Sequence, residues 1–137
     1  MPNAKILAWL ESKGYTAEPG RYFACFWDEK RITYRPGETK QSQLFGMLHE
    51  CGHVLVSEAV KRKTVGVRFK RGYPSPHWGT QRSNVSAADV MHEEIEAWHR
   101  GMELAKRLGI RLDEQAYWRE YGRCIKRYFR RLLRRSV

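Results

Sequence analysis

With 137 residues, 26 Lys and Arg against 15 Asp and Glu, and a formal net charge of +11 at pH 7, the chain suits a single domain, 1–137, with one core. No apolar run approaches a membrane span and the first residues lack a signal peptide's long apolar centre, which speaks against a membrane partner and for a cytoplasmic location. Cys25, Cys51 and Cys124 are odd in number and show no paired spacing, so they read as reduced thiols, and the basic balance favours acidic partners, with nucleic acid first among them.

In chain order, Asn3 can cap a helix over residues 4–12 that turns Ile6, Trp9 and Leu10 inward and stops at Gly14. Pro19-Gly20 marks a turn. Residues 21–27, rich in aromatics, read as a strand that returns through Asp28-Glu29-Lys30 into a second strand over 31–34. Pro36-Gly37 breaks that strand, and Thr39 or Ser42 caps an apolar helix running to about Lys61. Residues 64–69 alternate apolar and polar and should complete a small antiparallel sheet of about three strands. Residues 70–85 hold Gly, Pro, aromatics and His77 in a long loop, where His77 is as well explained by a surface loop as by a cleft.

Ser86 and Asp89 resemble a capping box opening a helix that ends at Gly109, with Met91, Ile95, Trp98, Met102 and Ala105 as its apolar stripe. Asp113 caps a last helix over 114–135, in which Trp118, Tyr121, Ile125, Tyr128 or Phe129, and Leu132 form a seam. Its other side carries Arg119, Arg123, Lys126, Arg127, Arg130, Arg131, Arg134 and Arg135. Such a face reads equally as a solvated surface or as an electrostatic docking surface for nucleic acid. The expected fold class is α+β: a small antiparallel sheet on the central helix, with further helices at the N-terminus and in the C-terminal half.

The central helix carries His49-Glu50-Cys51-Gly52-His53. Residues four apart share a helix face, so both imidazoles can reach one metal ion, while Glu50, about 100° round the axis, addresses a water beside it. Leu44, Leu48, Cys51, Leu55 and Ala59 fill the far arc, which puts the histidines at the edge of a core, and Gly46 and Ser57 on their own face leave room for an ion. A catalytic zinc site takes three protein ligands. Ala59 stands where the long metzincin motif has its third histidine, which excludes that motif; another arrangement takes a glutamate from a separate downstream helix, which Glu94 meets. With Met91 as the origin of a helical wheel, Glu94 falls about 60° away at the border of the apolar stripe, whereas Glu93 and Glu96 fall about 200° and 140° away, in solvent. The expected metal ligands are His49, His53 and Glu94, the metal Zn2+, and Glu93 a simple complement to the helix dipole.

His49-Glu50-Cys51-Gly52-His53 followed by Glu94-Ile95-Glu96-Ala97-Trp98 resembles the gluzincin pattern. The order of hairpin, metal helix and glutamate helix, over roughly residues 21–105, is similar to the small ImmA/IrrE-type metallopeptidases, although Trp98 stands where that family commonly has Asn or Asp. The resemblance implies a minimal zincin-like fold and a protein substrate, in that family a transcriptional repressor. The expected function is a zinc-dependent endopeptidase with Glu50 as general base. The competing expectation is a nucleic-acid-binding or regulatory protein that keeps the fold without proteolysis. His99, Tyr117 and Tyr121 are possible oxyanion donors that the sequence alone does not place.

Overall fold

The computed structural model describes residues 2–61 and 84–135. The expected strand over 64–69 and the loop with His77 lie outside them. The elements run α1 (Ala4–Ser12), β1 (Thr16–Pro19), β2 (Ala24–Phe26), β3 (Arg31–Tyr34), α2 (Lys40–Lys61), α3 (Asn84–Arg107) and α4 (Glu114–Arg135), an α+β arrangement.

Local chemistry accounts for the helix ends. The Asn3 side chain accepts hydrogen bonds from the Lys5 and Ile6 backbone N–H groups and so caps α1. Thr39 caps α2, its Oγ1 accepting from the Ser42 N–H at 3.1 Å, and Asp113 caps α4, its Oδ1 accepting from the Ala116 N–H at 3.0 Å. Helix α3 starts at Asn84, two residues before the expected Ser86 cap, and closes with Gly109 in the left-handed region at φ 67°.

The three-stranded sheet has the order β1-β3-β2. Only β2 and β3 are antiparallel, with Cys25 opposite Ile32; β1 pairs parallel to β3, with Ala17 opposite Ile32. The sheet is therefore mixed, which corrects the antiparallel expectation. Its unforeseen member, Thr16–Pro19, is a short edge strand ending in Pro19, a placement that proline tolerates because an edge N–H need not join the ladder. The Pro19-Gly20 punctuation that reads as a turn is the end of this strand.

Helix α2 is the centre of the packing. Every residue from Glu50 to Ser57 is buried, and α2 contacts α1, β2, β3 and, most extensively, α3. It is thus enclosed on several sides, with His49 and His53 on the side that faces a cleft. Its seam with α3 is a backbone approach. A β-carbon on Gly52 would overlap the Ala97 carbonyl oxygen, and one on Gly101 would come within 2.5 Å of the Leu48 carbonyl oxygen. Helix α4 joins the core through Ala116 and Tyr117, both buried. Trp118, Tyr121 and Ile125 are only half covered, and Phe129 is 52% exposed.

Candidate metal centre

The α2–α3 seam brings four titratable side chains of the sequence reading to one spot. His49 and His53 stand one turn apart on α2, and Glu94 comes from α3. His49 Nε2 lies 2.8 Å from Glu94 Oε2, His53 Nε2 lies 3.1 Å from Glu94 Oε1, and the two Nε2 atoms are 3.1 Å apart. Glu50 is also near, with ligand atoms of His49, Glu50 and His53 all within 4.8 Å of one another. It approaches His49 on the other ring nitrogen, however, with Oε1 3.5 Å from Nδ1. Glu94 therefore shares the Nε2 side with both histidines, and Glu50 stands beside that group.

The donor set fits a divalent ion. Tetrahedral ligands at zinc bond lengths near 2.0–2.1 Å are separated by about 3.3 Å, close to the separations seen here. Two imidazoles and one carboxylate are also the ligand chemistry of a catalytic zinc site with an open position.

Glu93 is the largest correction to the wheel. It is buried, at 8% exposure, and its Oε1 lies 2.9 Å from His53 Nδ1. A carboxylate there accepts the Nδ1 proton, which fixes the tautomer and leaves Nε2 to point at His49 and Glu94. The wheel failed because it centred α3 on its bulky stripe at Met91. The face against α2 is centred instead on small residues, Ala97 and Gly101, and Glu93 precedes Ala97 by one turn on that line. That spacing of small residues was the available signal. Glu96 is half-buried and pairs with Arg100 at 2.9 Å, away from the histidines.

Electrostatics follow from this crowding. Burial alone would lower the His53 pKa, but the charge of Glu94 and the hydrogen bonds with Glu93 and Glu94 hold it well above the usual imidazole range. Burial would raise Glu94, yet His53 and His49 hold it well below the usual carboxylate range. Glu50 is raised, chiefly by burial, with the histidines partly opposing. A carboxylate so raised is a stronger proton acceptor than an exposed one.

Trp98 stacks on the His49 ring with centroids 4.5 Å apart and planes at 15°. It limits the ring's rotation on that side. The Tyr117 hydroxyl donates to the Trp98 carbonyl oxygen at 2.5 Å, which commits it to holding α4 against α3. Tyr121 packs edge-on to Trp98 and His99. Sequence reasoning treated Tyr128 only as seam. Burial, together with the charges of Glu94 and Glu50, raises its pKa, and it lines the same cleft. Gly46 gives its space to a neighbour rather than to an ion, since a β-carbon there would meet the Phe23 ring at 2.5 Å.

The cluster opens into a cleft of about 770 Å³, within the range of ligand sites, walled by β2 on one side and α4 on another. Among the described residues no helix is long and apolar enough to cross a membrane, and Cys25, Cys51 and Cys124 are free thiols. Comparison with family models, with curated proteins and with solved structures finds no match for this chain.

Proposed function

We propose that the chain is a zinc-dependent endopeptidase acting on a protein substrate, with His49, His53 and Glu94 holding the metal and Glu50 as general base. The observation that carries this reading is the convergence of two Nε2 atoms from α2 and both Glu94 oxygens from α3 within 2.8–3.1 Å. A zinc ion held there supplies Lewis-acid polarisation of a carbonyl and lowers the pKa of water to about 7. Glu50, buried and with a raised pKa, takes the proton of the attacking water and returns it to the leaving amine. Glu93 keeps the His53 ring in register.

A peptide substrate suits the cleft, whose opening is lined by Phe23, Trp27 and the β2 residues Ala24, Cys25 and Phe26. The resemblance to the ImmA/IrrE-type metallopeptidases supports a DNA-bound regulator as that substrate. The outer face of α4, where Arg130, Arg131 and Arg134 are exposed, favours one second reading, a nucleic-acid-binding protein without proteolysis. DNA affinity that falls steeply with salt while peptide cleavage is absent would select it.

The test joins metal analysis to one substitution. Native protein should retain about one zinc per chain, and Glu50→Gln should keep fold and zinc while losing roughly 100-fold or more in peptide hydrolysis. Equal cleavage by Glu50→Gln and wild type would end the general-base assignment. Zinc-free native protein would end the metal-centre reading.

A further inference from the structure

Above the acidic floor of the cleft, α4 presents Arg119, Arg123 and Arg127 along the wall. All three residues are exposed, and they recur every four positions on one helix. Successive guanidinium bases are therefore about 6 Å apart along the axis, at 1.5 Å per residue. In an extended peptide, side chains on one face recur every two residues, about 6.6–6.8 Å. The two repeats match to within the reach of a flexible arginine over three contacts.

The carboxylates of the cleft offset only the middle arginine of this row. Glu120 pairs with Arg123 at 3.0 Å and Glu38 pairs with Arg35 at 3.1 Å, while Arg119 and Arg127 form no ion pair among the described residues. Glu50, Glu93 and Glu94 lie at the floor against the histidines. An acidic side chain pointing at the floor would meet like charge. One pointing at α4 would meet arginine. Walls of opposite sign fix which way a bound chain turns its side chains.

We infer that the Arg119–Arg123–Arg127 row selects extended peptide segments with acidic side chains at alternate positions. The inference rests on the endopeptidase reading, since it supplies that site with its substrate class. A peptide fits better than a single-stranded nucleic acid because the cleft floor carries Glu50, Glu93 and Glu94, which repel a chain of phosphates, while a peptide can turn acidic side chains to α4 and its neutral backbone to the floor.

Binding to the full chain separates this proposal from the hydrolysis it rests on. The probes are fluorescein-labelled ten-residue peptides: one alternating Glu and Thr, its Gln counterpart, and one with the same glutamates in a contiguous block. A labelled ten-nucleotide single-stranded DNA is the fourth. Anisotropy is read in wild type and in Glu50→Gln at low and moderate salt. The alternating Glu peptide should bind roughly tenfold tighter than the Gln peptide, and tighter than the blocked one, with the gap narrowing as salt rises. Arg119→Gln with Arg127→Gln should erase the preference. Arg130→Gln with Arg134→Gln, outside the cleft lining, should preserve it. Equal affinity for the Glu and Gln peptides would overturn the proposal. So would DNA displacing the peptides and losing its own binding in the Arg119→Gln, Arg127→Gln variant, which would make the row a nucleic-acid surface. An acidic preference without any cleavage would sink the hydrolase reading and leave the row standing; cleavage without preference would do the reverse.

Discussion

The α2–α3 seam and the α4 wall both carry charge, and they hold it in opposite ways. In the seam, Glu93, Glu94 and His53 are removed from water, and their positions follow from a backbone approach at Gly52 and Ala97. On α4, the arginines stand in water on a helix whose apolar side is only half covered. Buried ionisable groups cost several kcal/mol unless paired, so each seam carboxylate is tied to an imidazole. Exposed ion pairs contribute about 0–1 kcal/mol, so the fold is nearly indifferent to the α4 charges. Geometry set by backbone suits a metal site; geometry set by side-chain reach suits a substrate whose sequence varies.

The sharpest way to break this contrast is to add one methyl group to each region. Gly52→Ala would drive a β-carbon into the Ala97 carbonyl oxygen, and a backbone atom cannot swing aside as a flexible side chain can. The helices must part, at a cost of about 3 kcal/mol or more in urea unfolding, with zinc retention lost as well. Gly122 on α4 has nothing within 4 Å of the same added carbon, so Gly122→Ala should stabilise by up to about 1 kcal/mol through helix propensity. If both substitutions had the same sign, the two regions would not differ in the way described.

Much of this was legible beforehand, for reasons that can be named. The Asn3, Thr39 and Asp113 caps, the extents of α1, α2 and α4, and the β2–β3 hairpin follow from local chemistry that acts within a few residues. So does the sharing of one face by His49 and His53. The parallel pairing of β1 was not legible, because it joins Thr16–Pro19 to a strand beyond an intervening one, and a four-residue edge strand has too little alternation to show. Glu93 was missed for a related reason. A helical wheel ranks faces by hydrophobic bulk, whereas the tightest contact on α3 runs over its smallest residues, Ala97 and Gly101. Tyr128 was ambiguous with Phe129 because adjacent aromatics fit the seam equally: the structure exposes Phe129 and half-buries Tyr128 in the cleft lining.

Next in size is a graded series of carboxylates along α3. Glu94→Ala removes the group on both Nε2 atoms and should lower zinc affinity by at least about 100-fold, whereas Glu93→Ala removes only the Nδ1 partner of His53 and should cost about 10–100-fold. Glu96→Ala, whose carboxylate faces Arg100, should leave zinc affinity unchanged. Competition with a chromogenic chelator orders the three. Equal losses across the series would mean that the metal does not bind at the Nε2 side, and a Glu96 effect as large as Glu94 would place the site elsewhere on the helix.

The smallest effect separates the two regions by pH alone. Zinc requires neutral imidazole, and Glu94 and Glu93 hold the His53 pKa well above the usual range, so below that pKa a proton must leave His53 for the metal to enter. Glu94 is held below the usual carboxylate range and stays ionised, adding no slope. Zinc affinity should therefore rise about tenfold per pH unit from pH 5.5 towards 7.5, one proton per ion, and level off once His53 is neutral. Arginine keeps its charge throughout that interval and so does a peptide glutamate, so binding of the alternating acidic peptide to the α4 wall should stay flat within about twofold. Glu93→Ala sharpens the point. Without that acceptor the His53 proton is held less firmly, and the zinc curve should level off at lower pH while the peptide curve does not move. A peptide affinity that tracked the zinc curve would place the acidic side chains at the metal floor rather than on the arginines of α4.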